Sequence, residues 1–115
     1  MRLQIPAFIG FCFIASAAVA LPVPARADAV ETHLSIKHKM FVPPELDVPA
    51  NQKIRVVVTN EDNDDAEFES FKLNREKVVP AHSAVPVYVG PLDSGTYPFF
   101  NDFDPNKAKG KIVAK

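Results

Sequence analysis

Cysteine is almost absent. The one residue, Cys12, sits inside an apolar N-terminal run. A chain cut after that run has no disulfide, no thiolate ligand and no cysteine nucleophile. Cys12 lies within the run rather than just beyond it, so it does not read as a lipoprotein acylation site. No Gly-rich phosphate loop is present, and no Ser-His-Asp or Cys-His arrangement suggests a hydrolase. There is no basic excess: 13 Lys and Arg face 14 Asp and Glu, for a net charge of −1. Nucleic acid is a poor partner for such a chain, because it calls for a basic footprint. No long amphipathic helix and no internal repeat can be found.

What is present first is a leader. Met1-Arg2 opens with a positive charge, Ile5 to Val19 is apolar, and Ala25-Arg26-Ala27 is a small-x-small cleavage signal before Asp28. The run is too short and wrongly flanked for a permanent membrane helix. The expectation is a cleaved secretory signal peptide over residues 1–27 and one domain over residues 28–115. Arg2 and Arg26 leave with the leader, so eleven basic residues face fourteen acidic ones, a net charge of about −3. Such a leader predicts export from the cytoplasm. Six of the 9 phenylalanines remain to build a core with the Val and Ile residues.

The rest reads as short strands. Thr32 to His38 alternates, with Leu34 and Ile36 on one face. Lys39 to Pro44 is a kinked connector. Glu45 to Pro49 is a short edge strand ending on proline. In Lys53 to Asn60, Ile54, Val56 and Val58 share a face. Ala66 to Phe71 alternates carboxylates with aromatics, so Glu67 and Glu69 point one way and Phe68 points to the core. Lys72 to Glu76 suggests a helical turn, and Lys77 to Pro80 is extended. Pro86 puts the strand Ala84 to Val89 at an edge or a bulge. Thr96 to Phe100 and Lys111 to Ala114 close the chain around an irregular polar loop. About seven short strands separated by turn residues predict an all-β sandwich.

Two stretches carry a resemblance. Gly95-Thr96-Tyr97-Pro98-Phe99-Phe100 before a loop and then Gly110-Lys111-Ile112-Val113 resembles the C-terminal signature of cupredoxins, the blue-copper sandwiches. The run from Val48 to Asn60, with its alternating Ile54, Val56 and Val58, is also cupredoxin-like. The resemblance implies a Greek-key β-sandwich with a site at one end. It places the copper Cys on Asn101, one His on Asp104, the other His on Glu67, and the Met near Ala108 or Lys109. The blue-copper ligands are therefore absent. Hard oxygen donors in their place suit iron, Mn²⁺, Mg²⁺ or Ca²⁺ rather than copper(I).

A narrower likeness is carried by Glu67-Phe68-Glu69-Ser70-Phe71, Leu73 to Lys77 and Phe99 to Phe103. These segments resemble the cupredoxin-like component of bacterial ferrous-iron transport systems (the FtrB type) and the N-terminal cupredoxin domain of the EfeO iron-uptake proteins. That likeness implies a periplasmic protein that binds ferrous iron and assists its oxidation. It implies two partners, a second iron- or copper-binding periplasmic protein and an inner-membrane iron permease. The expected ligands are Glu67, Glu69, Asp102 and Asp104, with Asn101 and Met40 in support.

Other readings stay open. Glu67 and Glu69 also fit a solvated strand face. Asp102 and Asp104 also fit turn formers. Glu61 to Asp65 lacks the spacing of an EF-hand. His33 reads as exposed, His82 as a turn residue, and His38 and Met40 as packing or site residues. With Met40 and a histidine as ligands, the chain reads instead as a copper carrier or electron-transfer protein without a blue centre. With no metal at all, it reads as an interaction module that docks through Phe103 and an acidic rim.

Overall fold

The computed structural model describes residues 2–6, 10, 15–22, 28–104 and 106–115. The centre of the N-terminal apolar run, Cys12, the Ala25-Arg26-Ala27 signal and Pro105 lie outside the described residues. Among the described residues, no helix is long and apolar enough to cross a membrane.

The domain is all-β. Its strands are β1 (Val30–Lys37), β2 (Met40–Val42), β3 (Glu45–Val48), β4 (Ile54–Asn60), β5 (Ala66–Ser70), β6 (Arg75–Val79), β7 (Ala84–Val89), β8 (Gly95–Asn101) and β9 (Lys109–Ala114). One sheet has the order β2-β1-β4-β7 and the other the order β3-β9-β8-β5-β6. The pairs β1–β4 and β3–β9 are parallel, and the other neighbours are antiparallel.

The apolar alternation builds the core. Leu34 and Ile36 from β1 and Ile54, Val56 and Val58 from β4 are buried against Phe68, Phe99 and Ile112 of the second sheet. The Phe99 ring lies edge-on to Phe41 at 4.8 Å and tilted against Phe68 at 5.0 Å. Gly110 faces that ring, and a Cβ there would come within 2.4 Å of it. Glycine at this position is what lets β9 cross over Phe99. β7, which carries Pro86, and β3, which ends just before Pro49, are edge strands, as suits a residue that cannot donate to a ladder; Pro98 lies in the inner strand β8, beyond the residues that pair with β5.

Among the described residues, nine strands stand where about seven were expected. The connector Lys39 to Pro44 contains β2, which pairs with β1 through a two-residue turn, Lys37 opposite Met40. His38 and Lys39 both have positive φ, 51° and 58°, as a type I′ hairpin turn requires. Neither is glycine. Both backbone N–H groups donate to the two carboxylate oxygens of Asp62, at 2.8 Å each, which holds the turn. The expected helical turn at Lys72 to Glu76 is also replaced. Asn74, at φ 51°, ends a tight turn, and Arg75 already begins β6. The Ser70 hydroxyl donates to Pro98 O and accepts from Leu73 N–H, fixing that turn to β8.

Candidate metal centre

Strand parity decides which carboxylates can meet. Phe68 fills the core from β5, so Glu67 and Glu69 point to the outer face of the five-stranded sheet. In the β5–β6 ladder, Glu69 lies opposite Glu76 and Glu67 opposite Val78. One oxygen from each of Glu67, Glu69 and Glu76 lies within 4.8 Å of the other two. Three carboxylates on two adjacent strands thus converge on the sheet's outer face.

Glu67 is the unusual member. It is only 5% exposed, and its Oε1 is buried without a hydrogen-bond partner. A buried carboxylate oxygen left bare is expensive. Burial of this kind disfavours the charged form of the group. Its carboxyl is pushed up to about 7 from 4.5, first by a hydrogen bond with Glu76, then by burial, then by the charges of Glu76, Asp102 and Glu69. The Glu69 carboxyl is also raised, chiefly by burial, then by Asp102 and Glu76, while Lys107 opposes the shift. Protons and cations compete for such a group. A di- or trivalent ion is the ligand that would satisfy the oxygens without a proton.

Asp102 stands beside the cluster. Its backbone N–H donates to Glu67 O at 3.1 Å. Its carboxylate contacts Lys107 Nζ at 3.5 Å. It is close enough to raise both Glu67 and Glu69, but it is not one of the three converging groups.

The remaining expected ligands are employed elsewhere. Asn101 is buried, and its side-chain oxygen accepts from Glu67 N–H at 2.9 Å and from Phe103 N–H at 3.2 Å. Asp104 is also buried. Its Oδ1 accepts from Asn106 N–H at 2.9 Å and its Oδ2 from Ala108 N–H at 3.2 Å. These two residues shape the β8–β9 loop and tie it to β5. Asp102 of the second acidic segment therefore approaches the glutamates, while Asn101 and Asp104 do not join them. Asp104 and Asn101 line a small end cavity of about 120 Å³ with Asp62, Asp64 and Asp65. There Asp62 holds the β1–β2 turn and Asp65 accepts from Ala81 N–H. Met40 is 60% exposed and lines a separate groove with Phe41, Val42 and Pro44, so it supports neither cluster.

No histidine joins the three glutamates. His33 sits 3.3 Å from Glu31, His82 lies 2.7 Å from Asn63 Oδ1, and His38 belongs to the hairpin turn. Glu76 is the ligand candidate that sequence reasoning missed. The run Arg75-Glu76-Lys77 has no apolar alternation to signal it; the register of β6 on β5 is what puts Glu76 and Val78 across from Glu69 and Glu67.

Two packed sheets with parallel β1–β4 and β3–β9 pairs, and a polar loop between β8 and β9, define a cupredoxin-type sandwich. The family model described as Cupredoxin-like domain matches residues 6–114, and the chain belongs to that family. An uncharacterized protein of Rickettsia prowazekii (strain Madrid E) is 37% identical over 92 residues, which is 80% of this chain and 74% of that protein. Among solved structures, amicyanin from Paracoccus versutus is similar at TM-score 0.57 and 19% identity, over 80% of this chain and 86% of that one. Auracyanin B is similar at TM-score 0.65 and 13% identity, over 79% and 92%. Auracyanin A, a "blue" copper protein from Chloroflexus aurantiacus, is similar at TM-score 0.64 and 15% identity, over 76% and 100%. At these identities the structural likeness establishes the fold.

The residues at the end of the sandwich do not fit a blue-copper ion. Asn101 and Asp104 offer oxygen in place of sulfur and imidazole, and those oxygens already accept from backbone N–H groups. The three glutamates on the sheet face are a hard-donor set instead.

Proposed function

We propose that the domain is a periplasmic cation-binding cupredoxin that takes iron as its cargo on Glu67, Glu69 and Glu76 and serves ferrous-iron uptake. One observation carries this reading: Glu67, whose Oε1 is buried and unpartnered, brings a carboxylate oxygen within 4.8 Å of those of Glu69 and Glu76. Oxygen donors of this kind are suited to hard cations, and an all-carboxylate set favours the ferric over the ferrous ion. Asp102 adds negative charge at the rim, and the half-exposed Glu69 and exposed Glu76 leave a route in from solvent. The likeness to iron-transport cupredoxins supports iron among the hard cations. It also supports delivery to an inner-membrane permease beside a second periplasmic protein.

The test is a thermal melt of residues 28–115, under argon, with Fe²⁺, Mn²⁺, Ca²⁺ and Cu²⁺ in turn. A cation that binds only the folded state at 100 times its Kd adds about 2.7 kcal/mol of stability. Iron should raise Tm, and Glu67→Gln or Glu76→Gln should abolish the rise. Unchanged melting with every cation would overturn the reading and leave an interaction module. A rise with copper alone, lost in Met40→Ala and kept in Glu67→Gln, would favour the copper carrier.

A further inference from the structure

The ladder between β5 and β8 is short. It pairs Glu69 with Phe100 and Phe68 with Asn101, and at Asn101 β8 ends. On the β6 side, Glu67 and Glu69 are both placed by regular pairing, Glu67 opposite Val78 and Glu69 opposite Glu76. On the β8 side they differ. Glu69 has a strand residue opposite it, whereas Glu67 lies one position beyond the last pair.

A side chain takes over at that position. The Asn101 Oδ1 accepts from Glu67 N–H at 2.9 Å, in a buried place. The next residue, Asp102, donates its N–H to Glu67 O at 3.1 Å. Both main-chain groups of Glu67 are thus held by two consecutive residues at the end of β8. The same Asn101 oxygen accepts from Phe103 N–H at 3.2 Å, and Asn101 N–H donates to Ala108 O at 2.9 Å. One oxygen therefore joins the shape of the β8–β9 loop to the place of Glu67. An amide can do this without adding a charge beside three carboxylates.

We infer that Asn101 is a positioning residue of the glutamate cluster: it holds the Glu67 main chain so that the buried carboxylate stays within reach of Glu69 and Glu76. The burial of Glu67 is what makes main-chain placement matter. An exposed ligand can correct a shift of its backbone by turning its side chain. Glu67, at 5% exposure, is walled in and carries the shift to its oxygens. A ligand displaced by more than about 0.5 Å no longer matches its partners. The effect on cation affinity rests on the proposed function. The hold on Glu67 does not.

The experiment compares three variants of residues 28–115. In Asn101→Ser the hydroxyl can still accept from Phe103 N–H, as serine does in turns, but is too short to reach Glu67. Asn101→Asp keeps an acceptor oxygen in the original place. Asp104→Ala loosens the same loop without touching Glu67, and so controls for lost stability. Calorimetric titration with Fe²⁺ under argon, well below Tm, should show Asn101→Ser weakened about tenfold or more, the usual cost of losing a partner that orients a ligand. Asp104→Ala should bind as the wild type does, and Asn101→Asp at least as tightly. In the metal-free protein, Asn101→Ser should speed deuterium exchange at the Glu67 amide. It should also shift the ¹³C signal of the Glu67 carboxyl more than those of Glu69 and Glu76. Wild-type affinity in Asn101→Ser, or an equal loss in Asp104→Ala, would overturn the positioning role. If Asn101→Ser does not fold, a tenfold loss in Asn101→Asp would overturn it as well. A wild type that binds no cation would instead overturn the proposed function. The carboxyl signal then decides the positioning role alone, and an unmoved Glu67 signal in Asn101→Ser would end it.

Discussion

The outer sheet face and the end of the sandwich are both rich in carboxylates, yet their oxygens lead opposite lives. At the end, Asp62, Asp65, Asp104 and the amide of Asn101 each accept from backbone N–H groups. On the face, Glu67 Oε1 accepts from nothing. The end is where this fold family places copper. Here a buried side-chain amide joins the β8–β9 loop to β5 across that position. An acidic cluster is therefore judged by its donors. Oxygens already given to the backbone are structural, and bare ones are available to a cation.

The comparison can be broken at its ends. The largest effect is expected for Asn101→Ala, which leaves the Glu67 and Phe103 N–H groups without an acceptor. A buried donor left unsatisfied costs about 1–3 kcal/mol. In a domain of this size each kcal/mol lowers Tm by about 4–8 °C, which a melt will read. Next is Asp104→Ala, at about 1 kcal/mol for the loss of two part-buried loop hydrogen bonds. Its cation response should equal that of the wild type, and a lost response would merge the two regions after all.

Glu67 sharpens the comparison through pH. Its carboxyl is raised from 4.5 to about 7, so the folded state holds the proton more tightly than the unfolded chain. Its contribution to stability is complete below pH 4.5, falls as pH rises toward 7, and is gone above that. The metal-free protein should show this decline in Tm, and Glu67→Gln should remove it. A cation should mask it, because it replaces the proton. The smallest effect belongs to Asp102→Asn. It removes a rim charge and should lower cation affinity a few-fold with little change in Tm, as an exposed contact with Lys107 stabilises little. A large loss would mean that Asp102 reaches the cation directly.

Much of the fold was written in alternation. β1 and β4 announce themselves because every second residue is apolar and only one face can be buried. Pro86 marks β7 as an edge or bulged strand, and it is an edge. The stretches that hid lack that code. Arg75, Glu76 and Lys77 have no apolar residue to fix their phase, so β6 was visible only from Lys77 onward. The β1–β2 turn uses His38 and Lys39 at positive φ, where glycine or asparagine would be expected. Asp62, more than twenty positions away, is what makes that turn viable. At the site, Glu67 and Glu69 were placed on one face correctly by parity. Asn101 and Asp104 could not be told from ligands, because residue type does not say which way an oxygen is turned. Glu76 became visible only with the register of β5 on β6.

The position of Glu76 has a mechanical side. It belongs to the outermost strand of its sheet, while Glu67 and Glu69 belong to the next one in. Any ion gripped by all three would rivet the rim to the body, and the amides from Glu76 to Val78 would exchange with deuterium more slowly. Loading and stiffening of that border would then be one event, and a second protein touching the same face would meet a different surface before and after it.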